Sequence, residues 1–166
     1  MDFLLNPTVK WNIAKNYHRI LKNGTSDSRL DWFKVGDYKA LPNEVGGKET
    51  IAPKKVSSEI KKLFSWYSAK EEVKFDDILE FHYRFESIHP FQDGNGRVGR
   101  VLMFKECLKH NIIPFIIEDE YKGLYYRGLS EYVNERGYLR DTCLAMQDKY
   151  ELLIKRFLGD LLDGDR

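Results

Sequence analysis

Apolar residues recur at helical spacing along most of the chain. From Thr8 to Leu21 they fall at Val9, Ile13, Tyr17 and either Ile20 or Leu21, and Lys22-Asn23-Gly24 follows as a stop signal, so the pattern predicts a first helix. Between Asn23 and Lys55 the period gives way to glycines, prolines and short apolar islands. Val35-Gly36-Asp37-Tyr38 and Glu44-Val45-Gly46-Gly47 read as strand ends and turns, which predicts an irregular segment from Gly36 to Pro53 containing a short β-hairpin. Helical spacing returns at Val56, Ile60, Leu63, Phe64 and Tyr67, with Glu59, Lys61 and Lys62 on the outer face. A further helix follows through Phe75, Ile78, Leu79, His82, Phe85 and Glu86. Asp76 and Asp77 suit its positive N-terminal end, and Pro90 predicts its end near Ser87.

After Gly94-Asn95-Gly96, the positions Val98, Val101, Leu102, Cys107 and Leu108 predict the buried side of another helix, which stops near His110-Asn111 ahead of Pro114. The stretches Tyr121 to Asn134 and Leu139 to Leu162 both read as helices, and the tail from Leu161 is expected to fray. The fold class is mainly α with one small hairpin. No internal repeat or low-complexity linker breaks the chain, and its 166 residues are expected to form a single domain, 1–166.

Charge and cysteine content narrow the function classes. A formal net charge of +1 supplies no basic stripe for general nucleic-acid binding, so any anion recognition must be local. Cys107 and Cys143 lie far apart without zinc-ligand spacing, which points to reduced thiols and a cytoplasmic protein. No apolar run reaches the length of a membrane span, and Met1 to Leu5 is followed by Asn6-Pro7 rather than a signal-peptide core. His18, His82 and His110 share no metal-ligand spacing, and His82 lies on an apolar helix face, so none is assigned chemistry.

The run His89-Pro90-Phe91-Gln92-Asp93-Gly94-Asn95-Gly96-Arg97-Val98-Gly99-Arg100 concentrates the chemistry. It sets glycines at a helix start, where free N–H groups and the positive end of the dipole bind anions. Arg97 and Arg100, three residues apart, lie near the same side of that helix and offer forked donors to phosphate. Asp93 can hold a divalent cation, and His89 can move a proton near neutral pH. Each piece alone is a common turn or a solvated arginine. Together they make a positive cluster that is electrostatically poor without an anion.

These residues resemble the Fic family, whose signature is HxFx(D/E)GNGRxxR. Every fixed position is met, by His89, Phe91, Asp93, Gly94, Asn95, Gly96, Arg97 and Arg100. The resemblance runs from the helix around His18-Arg19-Ile20-Leu21 through the tail. It implies a Fic-type helical domain with a hairpin flap at about 36–53 and the signature loop and helix at 89–110. It further implies a protein adenylyltransferase: ATP phosphates against Gly94 to Arg97, Mg²⁺ on Asp93, and Asn95 at the α-phosphate. His89 would take the proton of a target Tyr, Thr or Ser hydroxyl. Arg97 would serve the β- and γ-phosphates, Arg100 the γ-phosphate, and Phe91 would anchor the loop. Tyr125, Tyr126 and Asn134 resemble positions of the adenine pocket, and the target protein would dock on the flap by strand pairing. Relatives acting as kinases carry lysine in place of the second signature glycine, so Gly96 favours AMP transfer.

Many members of the family carry an inhibitory helix with (S/T)xxxE(G/N). Ser68 to Glu72 is followed by Val73, and Ser130 to Asn134 lacks the glutamate, so the pattern is not met. Arg100 is therefore expected to be free and the chain active, with control by an inhibitory protein or by a segment outside this sequence. Two other functions remain open at this stage: a non-catalytic nucleotide-binding interaction module, and a Fic transferase that moves a different phosphate-linked group.

Overall fold

A computed structural model describes residues 12–163, with side chains to residue 159; the expectations for Val9 and for the tail beyond Asp163 lie outside the described residues. The chain divides into two compact units, 1–103 and 104–166. The first holds helix α1 (Asn12–Lys22), a hairpin of β1 (Glu44–Val45) and β2 (Lys48–Glu49), helices α2 (Pro53–Ser68) and α3 (Phe75–Ile88), and the start of α4 (Asn95–Lys109).

The hairpin pairs Val45 with Lys48 and Glu44 with Glu49 across Gly46-Gly47. Both glycines have positive φ, 58° and 74°, which is the backbone a tight two-residue hairpin turn requires. Pro53 opens α2 at a position where a missing N–H costs nothing. All five apolar positions expected inside α2 are buried, namely Val56, Ile60, Leu63, Phe64 and Tyr67. They meet α3 through Phe81, with ring centroids 5.2 Å from Phe64 and 4.8 Å from Tyr67. At the start of α3, Asp77 accepts the Lys74 N–H at 2.9 Å.

Two helices bury a face that their apolar residues give only in part. In α1 the buried stripe is Ala14, His18 and Lys22, one turn apart each, while Ile20 is exposed. In α4, Val98, Leu102 and Cys107 are buried as expected, together with Lys105 and Glu106, whereas Val101 and Leu108 lie on the exposed side. At roughly 100° per residue, Val101 and Leu108 share one stripe, and Lys105 and Glu106 fall inside the buried arc. Lys105 pairs with one carboxylate oxygen of Glu106 at 2.8 Å, while Lys109 and His110 stand 3.7 and 3.5 Å from the other, so the buried Glu106 is surrounded by cationic or ionisable neighbours.

The second unit contains the rest of α4, α5 (Lys122–Ser130) and α6 (Gly137–Asp163). A side chain at Gly128 would come within 2.6 Å of the Leu139 backbone, so this glycine lets α5 and α6 touch. Tyr125, Tyr132, Leu139, Cys143 and Met146 form its core. No helix among the described residues is long and apolar enough to cross a membrane.

Candidate active site

The signature loop begins where α3 ends. His89 caps that helix in the left-handed region, at φ 49° and ψ 63°, with its N–H bonded to Phe85 O at 3.1 Å. This turn lifts the imidazole off the helix axis. Its Nδ1 faces the Glu86 carbonyl at 3.4 Å, an arrangement that favours the Nδ1–H tautomer and leaves the Nε2 lone pair available. Burial, together with the charge of Lys39, holds the His89 pKa below its ordinary value although Glu86 O and Asp93 oppose the shift. The ring is accordingly neutral at neutral pH.

Phe91 is fully buried and lies parallel to His18 at 4.1 Å between ring centroids. Asn95 closes the loop from the other end: its Oδ1 accepts the Phe91 N–H at 2.7 Å and its Nδ2 donates to Phe91 O at 2.8 Å. The Asn95 side chain is thus buried and bonded to the loop's own backbone, which leaves its main-chain amide as the group at the helix start. The first main-chain bond of α4 runs from Val98 N–H to Gly94 O at 3.0 Å. The amides of Asn95, Gly96 and Arg97 precede it and lie at the open end of the helix. Gly94, at φ 83°, makes the turn into α4, and a Cβ there would press on Leu21 at 3.1 Å.

Asp93 is half exposed, and its Oδ2 is paired with Lys22 at 2.6 Å and Arg97 at 3.0 Å. Partial burial works against its ionisation, but hydrogen bonds from Lys22 and the Gly94 amide and the charges of Lys22 and Arg97 hold the carboxyl below its ordinary value. Lys22 is itself buried and also pairs with Asp27. His18 completes the support, accepting the Gly36 N–H on Nδ1 at 2.9 Å and reaching Asp93 O with Nε2 at 3.1 Å. Because Nδ1 accepts, Nε2 carries the proton and donates.

The segment before the hairpin is stitched to the same loop. Lys39 N–H donates to Pro90 O at 2.9 Å, Leu41 N–H to Gln92 Oε1 at 3.2 Å, and Asn43 Nδ2 to Phe91 O at 2.9 Å. The buried Lys39 ammonium bonds Asn43 at 2.7 Å and Thr50 at 2.6 Å, and burial depresses its pKa to about 8. The four residues Glu44, Val45, Lys48 and Glu49 are exposed, so the hairpin edge is open to a partner strand.

Arg97 is half exposed, and Arg100 lies one turn inward on α4. The charge of Arg100 acts on both His82 and Glu86 of α3. Burial, assisted by Arg100, lowers the fully buried His82 to about 3, and burial raises Glu86 to about 7 against the pull of Arg100.

The residues expected at the adenine pocket belong to the second unit. Tyr125 is buried, whereas Tyr126 and Asn134 are exposed. Reading the sequence missed His18, Lys22, Lys39, Asn43 and Glu86. The only available signal was weak: His18 and Lys22 are one helical turn apart, on a helix whose apolar period is imperfect.

The sequence profile of the Fic/DOC family matches residues 10–107. The chain belongs to the Fic/DOC family. Its Fic region is 26% identical over 151 residues to protein adenylyltransferase fic-1 of Caenorhabditis elegans, covering 89% of this chain and 28% of that protein. It is 30% identical over 128 residues to protein adenylyltransferase Fic of Aedes aegypti, covering 75% and 24%. The chain thus spans about a quarter of the length of these curated relatives. Among solved structures, a Fic domain containing signaling protein from Bacteroides thetaiotaomicron superimposes with a TM-score of 0.73 at 22% identity, covering 91% of this chain and 64% of that one. C. elegans Fic-1 (residues 134–508) gives a TM-score of 0.70 at 22% identity, covering 95% and 46%. These likenesses show the Fic fold.

Proposed function

We propose that this Fic domain is a protein adenylyltransferase, transferring AMP from ATP to a Tyr, Thr or Ser hydroxyl of a target protein in the cytoplasm, the compartment its two thiols suit. The observation that carries the reading is a histidine whose Nδ1 faces a main-chain carbonyl, set on the short loop that leads into an open helix start and its two arginines. Relatives named protein adenylyltransferases support it.

In this reading the phosphates lie against the amides of Asn95, Gly96 and Arg97. Those groups neutralise charge without needing to reorganise. Asn95 serves the α-phosphate through its main chain, since its side chain holds Phe91. Arg97 faces the β- and γ-phosphates and Arg100 the γ-phosphate. His89 Nε2 takes the hydroxyl proton as the oxygen attacks the α-phosphorus; the bond from that phosphorus to the bridging oxygen breaks, and pyrophosphate leaves with the electron pair. AMP remains on the target oxygen.

Asp93 fits a Mg²⁺ site of the kind that uses one carboxylate, substrate phosphates and water, because its carboxyl is ionised and half exposed. Among the described residues no cluster of three His, Cys, Asp or Glu could form an all-protein cage. When bound, Mg²⁺ would supply charge neutralisation between phosphates. The residues' own part is to keep Asp93 ionised through Lys22 and Arg97. Strand pairing on the open hairpin edge would present the target hydroxyl.

The test is transfer of label from α-labelled ATP with Mg²⁺ into a cell lysate. Wild type should label a protein band, and His89→Ala should lose the label while still binding ATP. Absence of any labelled band with wild type would leave a nucleotide-binding module; label from a different nucleotide and not from ATP would indicate another transferred group.

A further inference from the structure

Gly99 occupies an unspecified position of the Fic signature, in the interior of α4, where glycine weakens a helix. Its surroundings give a reason for it. A Cβ on Gly99 would overlap Glu86 Oε1 and would stand 3.0 Å from His82 Cε1. The Glu86 carboxylate therefore sits in the notch that the missing side chain leaves. Its other oxygen, Oε2, lies 3.9 Å from the point where a Gly96 Cβ would be, and Arg100 Nη1 lies 3.1 Å from that same point. Two glycines on one side of α4 thus leave room for the Glu86 carboxylate and the Arg100 guanidinium to approach the same point above Gly96.

Stability does not explain this carboxylate. Oε1 is buried and has no hydrogen-bond partner among the described residues, a costly arrangement for an acid that α3 could replace with an apolar residue. The charged group that acts on it is Arg100 of α4; His82 of its own helix, held neutral by burial, lies against the same notch. Gly96 is one turn nearer the helix start than Arg100. A guanidinium drawn over Gly96 is therefore drawn toward the amides that receive the phosphates.

We propose that Glu86 is a positioning residue for Arg100, seated by the Gly99 notch so that the guanidinium is held along α4 toward the terminal phosphate of bound ATP. The inference rests on the nucleotide site assigned under Proposed function and adds a residue outside the signature to it. Glu86 touches neither nucleotide nor target. Its effect is confined to what Arg100 contacts.

Equilibrium binding measures this without any transfer step. The α,β-methylene analogue of ATP, which cannot be cleaved, and AMP are titrated with Mg²⁺ into wild type, Glu86→Gln and Gly99→Ala. Wild type should bind the triphosphate more tightly than AMP. Glu86→Gln should reduce that preference about tenfold, the scale of one charge-assisted contact, and leave AMP affinity within about twofold. Gly99→Ala keeps the carboxylate but fills its seat, so it should reproduce the loss and decides the matter if the glutamine variant does not fold. An unchanged preference in a folded variant, or a parallel loss of AMP affinity, overturns the positioning role alone. Wild type that binds neither nucleotide overturns the nucleotide site and this inference with it.

Discussion

In the proposed role of base, His89 needs to be unprotonated to take a proton, and its neighbours decide the pH at which it is. Burial and the nearby Lys39 charge both push its pKa down, so transfer should fall only as the pH drops through a value below 6.5. Lys39→Met removes the positive charge, lets the His89 pKa rise and moves the acid limb of the kcat/KM profile to higher pH; an unmoved limb would show that Lys39 does not act on His89. The same substitution has a stability signature. Lys39 binds its proton less tightly when folded, with a pKa of about 8 against an ordinary 10.5, so wild type gains stability as the pH rises through that window and Lys39→Met should not. Denaturant unfolding at pH 8 and pH 10 reads the difference. His18 works in the same sense at lower pH. Burial depresses its pKa, so the stability it lends is fully present above about 6.5 and is lost as the pH falls through the folded value.

At the scale of elements, the hairpin carries the sharpest prediction. Gly46 and Gly47 both hold positive φ in open space, so alanine there meets no clash and suffers only the left-handed backbone cost of roughly 1–2 kcal/mol per residue. Replacing both by alanine should depress target labelling several-fold while the affinity for ATP stays within about twofold, because a Cβ at either turn glycine meets nothing within 4 Å. Labelling at wild-type level would remove the hairpin from target presentation. This hairpin and helix α2 were legible in the sequence because simple rules govern them: Gly-Gly fixes a tight turn, and Val56 to Tyr67 keep a clean helical period. α1 and α4 were legible as helices, and Val98, Leu102 and Cys107 as buried positions of α4, but the full buried faces were not. Those faces include Glu106, beside its partner Lys105, and Lys22, whose burial depends on a partner that no local pattern reveals: Asp93 lies far along the chain, and only folding makes them neighbours. The signature supplied its own residues. The struts that hold it, His18, Lys22 and Asn43, come from α1 and the approach to the hairpin and follow no spacing rule.

For the whole molecule, a net charge of +1 means that nucleotide affinity must arise from the local cluster at the start of α4. Binding there should be visible in the stability of the protein. At a hundredfold excess over Kd, ATP with Mg²⁺ should stabilise the folded state by about 2.7 kcal/mol, read as a rise in Tm. The rise should persist in His89→Ala, which keeps the phosphate contacts, and shrink in Arg97→Ala. Equal shifts in all three proteins would move the phosphates away from Arg97. Histidine at φ 49° occupies the left-handed region, which most side chains avoid and which asparagine, aspartate and histidine enter several-fold more often. The backbone at position 89 therefore narrows the choice of residue before any chemistry does, and of the side chains it accepts readily only the imidazole changes charge near neutral pH.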